Sequence, residues 1–164
     1  MRLVKLGLIS IVGLFLVIFL LSLLIPSHMK VSRAITIYAN VDTVKAYVND
    51  IRQWQYWNAL LKNENFHSVK FEPSLFSSTE MKIVMLPSDS TGLRTSWERV
   101  GQEAVKSGIS ITAVDNSTIV QWYFDLKVKW YPWEKFGSIV FDKELGPPME
   151  QSLEQLKKIC EKIN

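Results

Sequence analysis

Few side chains in this sequence are of the types that perform covalent or acid–base chemistry. The chain has two histidines, His28 and His67, and one cysteine, Cys160. Neither histidine has a partner at the spacing of a metal site, and Cys160 falls in an apolar helical stripe that favours a buried, inert thiol. No phosphate-binding loop, dinucleotide fingerprint, nucleophile elbow or zinc-protease motif is present. We therefore expect no catalytic residue, metal or cofactor, which argues against an enzyme without deciding the question.

Arg33 is a charged residue that strand geometry places among apolar ones. In a strand its side chain shares a face with Val31 and Ile35, the face expected to point inward. A charge there must be paired, lie at a rim or contact an anion. An inward Arg33 could hold a ligand carboxylate or phosphate, with Glu80 or Glu98 as its resting partner. The alternative, which we favour, is a strand-end arginine that reaches lipid head groups.

Aromatic residues are the second candidate determinant of binding. All six tryptophans follow residue 53. They can form a packed core, because aromatic rings bury large areas, or line a pocket for a sterol-, fatty acyl- or polyketide-like ligand. Both interpretations stay open. With Arg33, the candidate pocket residues are those expected on inward faces: Trp57, Trp97, Trp122, Phe124 and Trp130.

The acidic pair Asp142 and Glu144 flanks Lys143, just before the triplet at 146–148 (Gly-Pro-Pro). The simplest interpretation is a solvated helix end. The overall charge of +3 is concentrated at the N-terminus, since from residue 34 onward 15 basic residues face 16 acidic ones. The domain lacks the basic surface of a nucleic-acid-binding protein. One cysteine also excludes an internal disulfide and a cysteine-based metal site.

Residues 6–25 form an uncharged run whose ends are Leu6 and Ile25. About 20 helical residues span the roughly 30 Å hydrocarbon core of a bilayer. A cleaved signal peptide is the competing interpretation, but the run exceeds the usual apolar region of about 7–15 residues and no A-x-A-like site follows it. We expect an uncleaved, single-pass anchor in the cell membrane, with a short cytoplasmic tail (1–5) and the domain on the outer face. Basic residues on both sides leave that orientation open.

The remainder predicts one α+β domain, 31–164, after a linker at 26–30. The pattern indicates a strand at 29–39, a helix capped by Asn40 or Asp42, and a short helix at 54–61. Strand candidates separated by turn residues then follow, which predicts an antiparallel meander. They are residues 65–72, 79–86, 93–100, 104–114 and 118–129.

The last strand and the last helix each have one apolar face. Val120, Trp122, Phe124, Leu126, Val128 and Trp130 alternate with polar residues along the strand. Met149, Leu153, Leu156, Cys160 and Ile163 repeat at helical spacing. A helix with one apolar stripe is expected to lie across a sheet with one apolar face. The expected architecture is a curved antiparallel sheet of six or seven strands wrapped on a long C-terminal helix, a helix-grip fold.

Two sequence blocks resemble the SRPBCC (START-like, Bet v 1-like) superfamily, in its bacterial polyketide cyclase/dehydrase-like branch. The block VSRAITIYANVDTVKAYVNDIRQWQYWNALLKN (31–63) resembles the opening strand and two helices of that family. The block YPWEKFGSIVFDKELGPPMEQSLEQLKKICE (131–161) is similar to its closing segment, in which a Gly-Pro step precedes the long helix. The resemblance implies a deep apolar cavity between sheet and helix. No family active-site residue can be transferred, because the middle strands match in pattern only.

Three functions are compatible with the sequence. We favour a membrane-tethered domain that binds a hydrophobic small molecule or lipid, because catalytic groups are lacking. The alternatives are a cyclase- or dehydratase-like enzyme, and an interaction or sensor module with a closed cavity. The linker is only about five residues, and an extended chain reaches about 3.5 Å per residue, so the domain should lie on the lipid surface. The expected partners are the bilayer and an apolar ligand, not nucleic acid; no protein partner is indicated.

Overall fold

The computed structural model describes residues 2–24, 27–62, 64–89, 92–128, 131–138 and 140–162. A long N-terminal helix precedes an antiparallel sheet flanked by further helices. The helices are α1 (Arg2–Leu23), α2 (Val41–Val48), α3 (Ile51–Trp57), a 3-10 helix (Ala59–Leu61), α4 (Pro132–Ser138) and α5 (Phe141–Lys162). The strands are β1 (His28–Ile37), β2 (Lys70–Glu72), β3 (Leu75–Ser77), β4 (Met81–Asp89), β5 (Gly92–Arg99), β6 (Val105–Val114) and β7 (Ser117–Lys127).

Helix α1 is apolar on all sides and stands almost free of the domain. The segment Val4–Leu23 has the length and hydropathy to cross a membrane, and only 6% of it is buried. Phe19 is half-buried and Ser22 is fully buried, so only the C-terminal end of α1 is covered. The helix ends at Leu23, two residues before the predicted end at Ile25, which lies outside the described residues. A signal sequence near the N-terminus meets the same criteria of length and hydropathy.

The sheet has the strand order β1-β7-β6-β5-β4-β3-β2, and every neighbouring pair is antiparallel. This confirms the predicted α+β fold with an antiparallel sheet and a C-terminal helix against it. Strand β7 shows why: its side chains alternate between buried and exposed or half-buried from Thr118 to Lys127. Strand β1, an edge strand, pairs with β7 over ten residues, beginning with His28 opposite Lys127. The first and last strands of the domain therefore lie side by side.

The helices after β1 begin at polar caps. Asn40 accepts a hydrogen bond from the backbone N–H of Asp42 at the start of α2, so Asn40 is the cap of the two predicted. Asp50 does the same for Arg52 at the start of α3. The helix predicted at 54–61 is instead α3, which begins at Ile51, followed by the separate 3-10 helix. The additional Asp50 cap explains the earlier start.

Helix α5 begins eight residues before Met149, the first residue of the predicted stripe. The Gly-Pro-Pro triplet at 146–148 was expected to precede the helix, but it lies inside it. Two prolines remove the N–H partners of the Lys143 and Glu144 carbonyls, and both residues are exposed, so water can satisfy those oxygens. Strand β3 and helix α4 were not predicted, and the strand expected at 65–72 is reduced to β2 (Lys70–Glu72).

The apolar face of α5 completes the core beneath β1. Met149, Leu153, Leu156 and Cys160 are at most 2% exposed, and the helix packs on β1, α3 and the 3-10 helix. Ser152 lies in the same buried row and connects two elements. Its hydroxyl donates to the Pro148 carbonyl (2.6 Å) and accepts from the Ala59 N–H (2.8 Å).

Candidate functional site

A cavity of about 570 Å³ lies between the sheet and the N-terminal half of α5. Its floor consists of apolar side chains from the sheet and the 3-10 helix, and its roof is the first turns of α5. The floor residues are Leu60, Met81, Trp97, Val105, Phe124 and Leu126, and the roof residues are Phe141 and Leu145. Charged residues line the opening, here called the rim: Arg99, Glu103, Lys127, Glu134 and Glu144.

The rim lies at one end of the sheet. Strand β5 ends at Arg99, β6 begins at Val105 and β7 ends at Lys127. Antiparallel pairing brings these strand ends to the same end of the sheet. His28, the first residue of β1, pairs with Lys127 at that end. The cavity therefore opens at the end of the sheet where the chain arrives from α1.

Five aromatic rings form a continuous cluster behind the cavity. Trp54 and Trp57 come from α3, and Trp97, Trp122 and Phe124 come from the sheet. Neighbouring ring centroids are 5.0–6.3 Å apart, mostly tilted or edge-to-face, as expected for aromatic quadrupoles. This cluster joins the helical layer to the sheet.

The four indole N–H groups of the cluster are all satisfied within the protein. Trp54 donates to the Val48 carbonyl (2.8 Å) and Trp57 to the Tyr47 carbonyl (3.1 Å). Trp97 donates to the Thr95 hydroxyl (3.0 Å), and Trp122 donates to the Ser107 hydroxyl (2.8 Å). These hydrogen bonds hold the rings in place, including Trp97, which forms part of the cavity wall.

The predicted pocket residues separate into three groups. Trp97 and Phe124 line the cavity, with 8% and 3% of their surface exposed. Trp57 and Trp122 do not line it, because they are fully buried in the aromatic cluster. Trp130 lies outside the described residues.

Arg33 also lies away from the cavity, where it joins β1 to α5. Its Nε donates to Oε1 of Glu150 (2.6 Å), and Nη1 and Nη2 donate to the two carboxylate oxygens of Asp142 (2.9 and 3.1 Å). The side chain is 24% exposed. The suggested partners Glu80 and Glu98 were wrong, since the sheet face of Arg33 is covered by α5. The simple helix-end interpretation of Asp142 therefore omitted its role in this ion pair.

This cluster, called the Arg33 clamp (Arg33, Asp142, Glu150), fixes the roof. Asp142 lies in the first turn of α5 and Glu150 two turns later, on either side of the Gly-Pro-Pro triplet. Hydrogen bonds from Arg33 hold the pKa of the Asp142 carboxyl below its usual range and raise the pKa of Arg33. Gly146 lies against the guanidinium, and a Cβ there would overlap it. The clamp thus positions the helix segment that carries Phe141 and Leu145.

The remaining chemically active side chains have structural environments. His67 is exposed, and its Nδ1 lies 2.7 Å from Oε1 of Glu80. Hydrogen bonds from the His67 backbone N–H and then from its side chain lower the pKa of the Glu80 carboxyl. His28 lies near Asp125 at 3.9 Å. Cys160 is buried as predicted, and desolvation raises the pKa of its thiol to about 11. Within the described part of the chain, no group of His, Cys, Asp and Glu could hold a metal ion.

The sequence contained one overlooked signal for the roof. Phe141 and Leu145 precede Met149 at intervals of four residues, so the apolar stripe of α5 continues upstream through the triplet. Treating the two prolines as a helix start concealed it. The rim had no comparable signal, because its residues come from four separate segments.

Comparison with known proteins places the fold. No protein-family model matches the chain, and no curated protein matches it. The crystal structure of CalU16 from Micromonospora echinospora is similar, with a TM-score of 0.56 at 16% identity over 79% of this chain and 73% of that one. A START superfamily protein from Mycobacterium smegmatis gives 0.55 at 18% identity over 82% and 99%.

Truncated norcoclaurine synthase from Thalictrum flavum gives a TM-score of 0.60 at 12% identity, over 80% of this chain and 92% of that one. At such low identities the similarity concerns the fold alone. It confirms the START-like, helix-grip fold that the two sequence blocks predicted.

Proposed function

We propose that this START-like domain binds an amphipathic, mainly hydrophobic small molecule in the cavity under α5, and that α1 anchors it to a membrane. The cavity is the observation that carries the proposal. Its volume of about 570 Å³ lies within the range of roughly 300–1,000 Å³ found for small-molecule sites. A site of this size can enclose most of a lipid-like molecule.

The distribution of polarity in the cavity supports an amphipathic ligand. Floor and roof offer apolar surface from residues such as Trp97, Phe124 and Phe141, which favours a hydrocarbon or ring system. The rim carries both cations and carboxylates, including Arg99 and Glu144, which can orient a polar head. Charged groups at the opening remain hydrated, so they need not be buried when the ligand binds.

The anchor and its orientation form the second part of the proposal. The apolar, exposed surface of α1 supports a single membrane span, and we place the domain on the outer face. Val114 is exposed at the end of β6 that lies away from the rim, so a cysteine at this position can report on which side of the membrane the domain lies. A Val114→Cys variant in intact cells should react with a membrane-impermeant maleimide. Labelling only after cell lysis would contradict this orientation.

The ligand proposal is tested by filling the cavity. Leu145→Trp places a larger side chain in the roof and should weaken binding of a fluorescent fatty acid by at least about tenfold, measured by titration of the full chain in detergent. Ile159→Trp is the matched control, because Ile159 is also half-buried on α5 but does not line the cavity. Native mass spectrometry of the full chain, with organic extraction, would identify the bound molecule.

Equal affinities for the wild type and Leu145→Trp, at similar thermal stability, would contradict a ligand site in this cavity. Failure of the wild type to bind the probe, together with no extracted molecule, would favour the interaction-module alternative.

A further inference from the structure

We infer that the surface around the cavity opening contacts lipid directly, with Trp133 at the level of the head groups, so that the ligand passes between bilayer and cavity without crossing bulk water. This inference rests on the proposed function for the ligand and on α1 for the membrane. The surface, called the opening face, consists of Val100, Tyr131, Trp133 and Val140.

The opening face is apolar, and three of its residues, Val100, Trp133 and Val140, adjoin cavity-lining residues in the chain. Val100 is 79% exposed and stands between Arg99 and Gly101, which both line the cavity. Trp133 is 65% exposed and precedes the rim residue Glu134. Exposed apolar side chains around a cavity opening are unfavourable in water. Their transfer into a lipid interface lowers the free energy.

Continuity with α1 shows which environment covers this face. Helix α4, which carries Trp133, packs on α1. The half-buried Phe19 and the buried Ser22 lie near the C-terminal end of α1, one turn apart, on the side covered by the domain. If α1 spans a bilayer, α4 must lie at the surface of that bilayer, because it contacts the last turns of the spanning helix.

The chain path agrees with this placement. Only a few residues separate Leu23, the last residue of α1, from His28, the first residue of β1. His28 pairs with Lys127 at the rim end of the sheet. Val114, the last residue of β6, is also apolar and 41% exposed, but it lies at the opposite end of this ten-residue strand from the rim. Exposure alone therefore does not distinguish the two ends; the connection to α1 does.

The chemistry of α4 is that of an interfacial anchor. The rings of Tyr131 and Trp133 are stacked, with centroids 5.0 Å apart and planes 5° from parallel. Tyrosine and tryptophan concentrate at membrane–water interfaces, because their rings are apolar and their polar atoms remain near water. This stacked pair, at the start of a short helix, presents a flat surface to the head groups.

Site-specific depth measurements test the lipid contact in the full chain, reconstituted in phosphatidylcholine nanodiscs. Trp133→Cys and Val100→Cys carry an environment-sensitive fluorophore, and Val114→Cys is the matched distal control. The native thiol of Cys160 is buried with a raised pKa, so unsubstituted protein should remain unlabelled. Nitroxide lipids should quench positions 133 and 100 at least about threefold more than position 114. Quenching that is equally weak at positions 133 and 114 would overturn the lipid contact.

The route of the ligand is tested by kinetics. Trp133→Lys should slow transfer of a fluorescent fatty acid from vesicles to the protein by about tenfold, while its equilibrium affinity changes less than about twofold. Val114→Lys should leave the rate unchanged. An unchanged transfer rate in Trp133→Lys would overturn the direct route.

These outcomes separate this inference from the proposed function. Quenching at position 133 without any probe binding would support the lipid-contacting face and overturn the ligand site. Probe binding without quenching at position 133 would support the ligand site and overturn the lipid-contacting face.

Discussion

At the residue scale, Arg33 shows how one side chain can organise a helix that it does not belong to. Its guanidinium engages Asp142 and Glu150 in a planar arrangement that only arginine can form. Exposed ion pairs contribute little to stability individually, and the two carboxylate side chains of this one are 56% and 62% exposed, although the Arg33 side chain is mostly covered. Its main effect is positional, because it fixes the cavity roof against β1.

The close contact between Arg33 and Gly146 predicts a coupling between the two positions. Gly146→Ala adds a Cβ that must displace the guanidinium. Its destabilisation should be at least about 1 kcal/mol smaller in an Arg33→Ala background, as expected for residues in contact. The cost of placing alanine before Pro147 in a helix is common to both backgrounds and cancels. Urea unfolding of the full chain in detergent, followed by tryptophan fluorescence, measures both values.

Gly108→Ala is the control for this cycle, because its Cβ would meet Tyr123 and not Arg33. Gly108→Ala should lower the free energy of unfolding by the same amount with and without Arg33. If Gly146→Ala destabilises the wild type and the Arg33→Ala variant equally, the guanidinium moves aside freely and the predicted coupling is wrong.

The clamp also predicts a dependence of stability on pH. Because Arg33 lowers the pKa of Asp142 in the folded state, the pair stabilises the fold above the unfolded pKa of about 4 and loses this effect as the pH falls through the lower folded value. The stability difference between the wild type and Asp142→Asn should shrink between about pH 5 and 3. Thermal unfolding across this range measures it. A difference that stays constant across this pH range would contradict the assignment.

At the element scale, α5 consists of two parts that pack against different regions of the domain. The C-terminal half buries Leu153, Leu156 and Cys160 against the sheet, and the N-terminal half roofs the cavity. The two prolines lie where the halves meet, and Ser152 connects this point to the 3-10 helix. The roof is thus held from one side by the clamp and from the other by a serine.

Ser152→Ala tests the serine connection. The substitution leaves the Ala59 N–H without its acceptor in a partly buried position, and it should destabilise the protein by about 1–2 kcal/mol. Chemical unfolding measures this loss. Ser110→Ala, which removes a long hydroxyl contact of 3.5 Å at an exposed position, should change stability much less. Similar effects of the two substitutions would contradict the structural importance of Ser152.

At the scale of the whole molecule, the sequence predicted the elements with a regular period and missed those fixed by tertiary contacts. Strand β7 and the C-terminal half of α5 follow directly from alternation and helical spacing. Strand β3 has only three residues, too few for a period, and its pairing with β4 decides its conformation. The same limit applies to the site. Trp97 and Phe124 lie on predictable faces, whereas the rim residues meet only after the sheet has formed.

The pairing of β1 with β7 also constrains the order of events during synthesis. Strand β1 follows α1 directly, yet its partner begins only at Ser117, and its covering helix comes later still. All of α1 is therefore synthesised long before β1 can join the sheet. Contacts between distant segments must wait for the chain that separates them. With α1 as the proposed anchor, membrane insertion precedes completion of the domain, and the cavity forms last.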